Sequence, residues 1–283
     1  MGSIKIFADS TCDLPSEWIQ QYDIGIVPLY VTFTDQIYKD GVDLTVPKLY
    51  DKVTESGSLP KTAAPSPADF IQSFAPFVQE ERQILYISLS SELSSTYQNA
   101  LLAAAEFAEG DVTVFDSLNL SSGIGLLVMK AAHAVEQGKG IPEIIELLTA
   151  VRPQVETEFV IDSLDYLYKG GRCSGMQNIV GSLLKIRPVI KVVNGKMTPA
   201  YKIRGSRDKA LDRLLSNALS HVEEMDQDLI FVTHSLADAD AQLLRQALEQ
   251  NTQATVAISD AGCVISSHCG AKTIGILYTK TLA

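Results

Sequence analysis

Hydroxyl groups crowd one turn of this chain. Six of the nine residues from Ser88 to Thr96 carry one: Ser88, Ser90, Ser91, Ser94, Ser95 and Thr96. An apolar strand, Ile84 to Leu89, runs into this turn, and a helix rich in alanine and leucine leaves it. In an open α/β sheet, ligands gather beyond the carboxyl ends of the strands, where helix N-termini expose free N–H groups. Hydroxyls at that place suit a carboxylate or a phosphate. One or two of them are ordinary helix caps, but six exceed what capping needs. The turn has no Gly-rich phosphate cradle of the Walker type and no catalytic base of its own. It reads as a site that holds an anion rather than one that transforms it.

Three more hydroxyl-bearing turns or loops lie at or beside predicted strand ends: Asp9-Ser10, Lys61-Thr62 and Asp116-Ser117. Strands of a parallel sheet end on one rim, so these segments are expected to converge with Ser90–Thr96. A histidine is available to join them. His268 lies in Ser266-Ser267-His268-Cys269-Gly270, which reads as a small, polar, Gly-flanked loop. His133 and His221 fall within predicted helices, and His234 ends a strand and is a weaker candidate. If His268 reaches the rim, a carboxylate there meets two hydroxyls and an imidazole. In Lys169-Gly-Gly-Arg172-Cys-Ser-Gly175 the paired glycines permit a tight turn or a close approach. Arg172 either contacts an anion or ties down the loop. A serine hydrolase is the rival reading. Its G-x-S-x-G elbow is absent, and a Ser94–His268 dyad is left with no identifiable orienting acid.

The elements that must place these groups alternate. Strands are predicted at Ile4–Ala8, Ile24–Phe33 (with Tyr38–Val42 returning beside it), Ile84–Leu89 and Val112–Phe115. Helices are predicted around 16–22, 46–56, after Ala68, after Thr96, from Ser122 to about Gln137, and from Pro142 to about Val151. Leu59–Pro67 reads as a loop stiffened by three prolines. This alternation indicates a mostly parallel sheet covered on both faces. The second half differs. Lys185–Val193 and Met197–Ile203 read as a hairpin joined by Asn194-Gly195. Further strands are predicted at Thr157–Ile161, Leu229–His234, Thr255–Ile258 and Thr273–Tyr278, with helices at about 208–224 and 237–249. The expected division is 1–155 and 156–283, the second part supplying Arg172 and His268.

Length and composition set outer limits. A chain of 283 residues, 46% hydrophobic and 20% charged, is an ordinary globular protein of one large or two smaller domains. A net charge of −11 argues against nucleic acid, which would need a concentrated basic patch. The nearest candidate, from Lys202 through Arg204 and Arg207 to Lys209, is short and mixed in sign, and suits a protein partner better. The N-terminus does not read as a signal peptide, and no apolar run approaches the roughly 20 residues that span a bilayer. Cys12, Cys173, Cys263 and Cys269 form no C-x-x-C pair, so structural zinc is not expected and reduced thiols in a cytoplasm are.

Taken together, the motifs resemble the DegV family of bacterial fatty-acid-binding proteins. The matching residues are Asp9-Ser10-Thr11, Pro60-Lys61-Thr62 with Pro65-Ser66, and Leu89-Ser90-Ser91-x-Leu93-Ser94-x-Thr96-Tyr97. They continue through Asp116-Ser117, Asp165-Tyr166-Leu167-x-Lys169-Gly170-Gly171-Arg172 and Leu183-Leu184-Lys185-Ile186-Arg187 to His268. The resemblance runs in order over nearly the whole chain. It implies a two-domain α/β protein of the DegV-like (EDD) fold, with a parallel sheet in the first domain, a mixed second domain and a long-chain fatty acid between them. By the family pattern Thr62, Ser94 and His268 would hold the carboxyl group, with Ser10, Ser95, Ser117, Arg172 and Ser267 around it. No cofactor is implied. Such proteins serve as the acyl-carrying subunit of a fatty acid kinase, whose separate ATP-binding subunit makes the acyl phosphate. The segment with Lys202 and Arg204 would help to dock that subunit. Membrane contact would be at most transient, for lipid exchange. The fold resemblance extends to dihydroxyacetone kinase substrate domains, which makes a small-ketone binder a further rival. A lipid sensor with no kinase partner is another. Two departures stand out: Ser95 replaces a glycine, and His268-Cys-Gly-Ala271-Lys272 replaces His-x-Gly-Pro-Gly. The lysine would change the loop, bring a charge to the carboxylate or face solvent.

Overall fold

The structure is a computed structural model that describes residues 3–34, 36–173 and 186–282. A parallel sheet contains β1 (Ile4–Asp9), β2 (Gly25–Val27), β6 (Gln83–Ser88) and β7 (Val112–Asp116) in the order β2-β1-β6-β7. A small antiparallel sheet, β4-β3-β5, is made by β3 (Tyr30–Phe33), β4 (Gln36–Lys39) and β5 (Lys61–Ala63). The later strands form one mixed sheet in the order β10-β9-β8-β13-β11-β12. They are β8 (Val155–Val160), β9 (Ile186–Val193), β10 (Lys196–Arg204), β11 (Met225–Ser235), β12 (Thr255–Asp260) and β13 (Thr273–Lys280), with only β11 and β12 parallel among them. The α/β architecture expected from the sequence is the one observed.

Helix α5 (Ser122–Glu136) lies between the parallel sheet and the mixed sheet. Every residue from Ser122 to Met129 is buried, as expected for a helix apolar on nearly all sides. Strand alternation sorts the mixed sheet into two faces. Phe159, Phe231 and Leu277 turn inward and share a core with α5. Val160, Val232 and Ile276 turn outward, against Leu214 of α8 (Arg207–Leu219) and Leu244 of α9 (Asp238–Asn251). On the other side of the parallel sheet, Phe70 and Phe74 of α3 (Pro67–Gln79) pack on Phe7 and Tyr86.

Four expectations need correction. The strand expected over Ile24–Phe33 is two strands in different sheets, broken at Pro28, whose ring removes a ladder donor. The proline-rich segment around Thr62 is not all loop: Lys61–Ala63 pairs with β3, with Thr62 opposite Val31. The segment around His268 is α10 (Cys263–Cys269), a helix rather than a loop. Helix α8 stops at Leu219, five residues before the expected Glu224. The family motif residues Leu183, Leu184 and Lys185, and Ser174-Gly175 of the Arg172 segment, lie outside the described residues. Among the described residues no helix is long and apolar enough to cross a membrane.

Candidate functional site

A cavity of about 430 Å³ lies between the carboxyl ends of the parallel strands and the inner face of the mixed sheet. Its wall is largely apolar, with Leu29, Leu93, Leu120, Phe159, Val264 and Leu277 among the contributors. Thr62, Ser94, Ser95, Arg172 and His268 all line it. Five of the eight ligand-contact residues expected from sequence are therefore brought to one cavity.

Thr62 and His268 meet directly, Oγ1 to Nε2, at 2.8 Å. Thr62 is the middle residue of β5, and His268 sits in the last turn of α10. That helix turns Val264, Ile265 and His268 to the cavity, one helical face, and Ala261 just before it joins them. The other ring nitrogen, Nδ1, is buried with no hydrogen-bond partner among the described residues. It faces Gly170, where a Cβ would lie 2.6 Å away, so only glycine fits beside the imidazole. Gly171 then ends α7 (Leu164–Gly170) in a left-handed conformation, φ +67°. Each glycine of the pair thus has its own task. Arg172 follows, exposed, with Nη1 donating to the Gly170 carbonyl at 2.7 Å. Burial pushes the His268 pKa down to about 4, and the Arg172 charge acts in the same direction. The imidazole is therefore neutral at neutral pH.

The crowded turn divides its hydroxyls. Ser94 Oγ pairs with Thr96 Oγ1 at 2.8 Å, and Ser94 faces the cavity. Ser95 is exposed, lines the cavity and makes no capping bond at the start of α4 (Thr96–Ala104). Its φ of −74° is ordinary for a serine, so the backbone does not need the family's glycine. Ser88 donates to the Leu89 carbonyl, and Ser90 donates to the Gly195 carbonyl at 2.8 Å, tying the β9–β10 hairpin to this turn. Most of the hydroxyl excess is scaffold.

Ser10, Ser117 and Ser267 do not line the cavity. Ser10 Oγ donates to Asp40 at 2.9 Å and accepts from the Leu29 N–H. Ser117 accepts from the Asn119 N–H, and Ser267 donates to the Cys263 carbonyl at 2.6 Å within α10. Each is satisfied locally. Lys272 is exposed at φ +62°, away from the cavity wall. Asn99, Thr157 and Thr233, which the sequence did not single out, also line the cavity, as does His234, expected as a weaker candidate. The signal for Thr233 was present: it lies beside His234 near the end of β11, which runs parallel to β12. His234 Nδ1 accepts from the Ala237 N–H, which leaves the proton on Nε2, 3.4 Å from Asp260.

Hydrolytic chemistry finds no support in this arrangement. His268 bonds Thr62 rather than Ser94, and nothing among the described residues orients its Nδ1, whereas a triad needs an acid there. A second feature lies on the outside of the mixed sheet. Lys202 and Arg204 of β10 and Lys209 and Arg213 of α8 line one open groove. None of the four is in an ion pair among the described residues, although the chain is strongly acidic.

The profile of the DegV family, whose members are described as uncharacterised proteins, matches residues 3–281. This chain belongs to the DegV family. A DegV domain-containing protein of Clostridium acetobutylicum is 34% identical over 280 residues, covering 99% of both chains. A protein of Thermotoga maritima named a fatty acid-binding protein is also 34% identical over 280 residues, covering 96% of both. Among solved structures, a DegV family protein of Thermus thermophilus described by its fatty acid binding superposes with a TM-score of 0.92. It is 31% identical, with 99% of this chain and 100% of that one covered.

Proposed function

We propose that this DegV protein binds a long-chain fatty acid, with the tail in the cavity and the carboxyl group at Thr62, Ser94 and His268. The observation that carries the reading is the Thr62–His268 pair set in the wall of a largely apolar cavity. About fourteen methylenes at about 0.8 kcal/mol each supply a gross term of about 11 kcal/mol, before ordering costs. The tail therefore supplies affinity and the head group supplies orientation. With the proton on Nε2, His268 donates to Thr62 Oγ1, and the Thr62 hydroxyl is free to donate onward to a carboxylate oxygen. Ser94 adds a second neutral donor. Neutral donors hold a carboxylate without burying a permanent counter-charge.

The same reading extends to a carrier that presents its carboxylate to a separate ATP-binding kinase subunit, which makes the acyl phosphate. Two features support it. The sequence carries no Walker loop, and the cations around Lys202 and Arg204, in no ion pair among the described residues, offer an acidic partner a contact area. Division at residue 155/156 and a cytoplasmic location belong to the same proposal.

The test is a palmitate labelled with ¹³C at the carboxyl carbon. Its resonance should shift on binding and should lose most of that shift in Thr62→Val and His268→Ala. A bound palmitate whose carboxyl resonance is the same in wild type and both variants contradicts the head-group assignment.

A further inference from the structure

Two buried carboxyl groups grip the opposite end of the helix that carries His268. Asp40 accepts from the Cys263 N–H at 2.7 Å, and Asp13 accepts from the Gly262 N–H at 2.8 Å. Both carboxyls are almost wholly buried. They crowd the start of α10 so closely that a Cβ on Gly262 would lie 3.2 Å from Asp13 and from both oxygens of Asp40. Their positions are fixed from the other side as well. Ser10 Oγ donates to Asp40, and Ser121 Oγ donates to Asp13. None of Asp13, Asp40, Ser10 or Gly262 lines the cavity.

Asp40 directly follows β4, and Thr62 is the centre of β5, so both belong to the small β4-β3-β5 sheet or its margin. Two side-chain hydrogen bonds tie that unit to α10. Asp40 holds its first turn and Thr62 meets His268 in its last, about 10 Å along a seven-residue helix. A helix this short has little stability of its own, so tertiary contacts must set its position. Carboxylates at its N-terminus also match the direction of its dipole.

We propose that Asp40, seconded by Asp13 and braced by Ser10, is a positioning residue for the head-group site: it seats the first turn of α10 and thereby sets where His268 meets Thr62. This rests on the fatty-acid reading only for its effect on binding. The effect on the imidazole stands without it. It also gives the Asp9-Ser10 motif a role. Ser10 reaches the site through Asp40 and α10, not by touching a ligand. Burial raises the pKa of both carboxyls, as expected where two acids share a dry site.

The experiment uses the full chain and two readouts. The first is the His268 Cε1–H titration by NMR without ligand. The second is palmitate affinity. In wild type His268 should titrate near 4. In Asp40→Ala the seat of α10 is lost, so the titration should move toward the ordinary value of 6.5, and palmitate affinity should fall at least about fivefold. Asp40→Asn keeps an oxygen for the Cys263 N–H and should restore both. A folded Asp40→Ala protein with His268 still near 4 and unchanged affinity would overturn the proposal, as would failure of Asn to rescue. If Asp40→Ala does not fold, Ser10→Ala decides. It should move the His268 titration the same way by a smaller amount, and no movement counts against the proposal. If wild type binds no palmitate, the fatty-acid reading fails while the titrations still decide the role of Asp40.

Discussion

Two hydroxyl-bearing turns end neighbouring strands of the parallel sheet, and they have opposite fates. After β1, Ser10 and Thr11 are consumed by carboxylates: Thr11 donates to Asp9 and Ser10 to Asp40. After β6, Ser94 pairs with Thr96, neither Ser94 nor Ser95 hydrogen-bonds a carboxylate among the described residues, and both face the cavity. Position on the rim is the same in kind. What differs is a buried acid within reach, because a buried carboxylate must be satisfied by several donors and takes the nearest ones. A serine at a strand end is thus free for a ligand only where no buried acid competes for it.

The comparison is broken most severely at Asp9. Its buried carboxylate accepts from the Thr11 and Leu89 N–H groups and the Tyr86 hydroxyl. Asp9→Ala leaves these donors without an acceptor. It should cost about 3 kcal/mol or more in urea unfolding. Next comes His268→Ala, which should weaken palmitate binding about tenfold or more while moving the unfolding midpoint little, because the Thr62 hydroxyl loses the partner that aims it at the carboxylate. Ser94→Ala should weaken palmitate by about fivefold. Ser117→Ala, outside the cavity, should change stability by about 1 kcal/mol and leave binding unchanged. Equal binding losses from Ser94→Ala and Ser117→Ala would erase the distinction between cavity and scaffold hydroxyls.

Two further effects sharpen it. His268 titrates at about 4 in the folded chain against 6.5 in the unfolded one. Between those values the unfolded chain binds more protons, so acidification from 6.5 toward 4 removes stability. That loss should be shallower in His268→Gln, measured as unfolding midpoint against pH. Finally, replacing Lys202 and Arg204 by alanine should leave palmitate affinity unchanged and slow only acyl phosphate formation with the kinase subunit proposed above. Loss of palmitate binding instead would contradict the docking role.

Much of the fold was legible because its signals are local. The strands β1, β6 and β7 are apolar runs ending in polar turns, and Asn194-Gly195 announces the β9–β10 hairpin. The site was legible where it depends on the same turns, at Ser94 and Ser95. Helix α10 was not. Seven residues containing Val, Ile, two Ser and His show no convincing helical period, and the contacts that seat them come from Asp13 and Asp40, more than 200 residues away. Strand β5 was hidden for a similar reason. Three residues among prolines become a strand only because β3 pairs with them. Ser10, Ser117 and Ser267 look like head-group candidates in sequence because a serine does not reveal which buried partner it has.

The most direct test of the central claim is to denature the purified protein, extract it with organic solvent and weigh the extract by mass spectrometry. A near-stoichiometric long-chain fatty acid is the result this account predicts. An empty extract from a folded protein that also takes up neither palmitate nor oleate would contradict it.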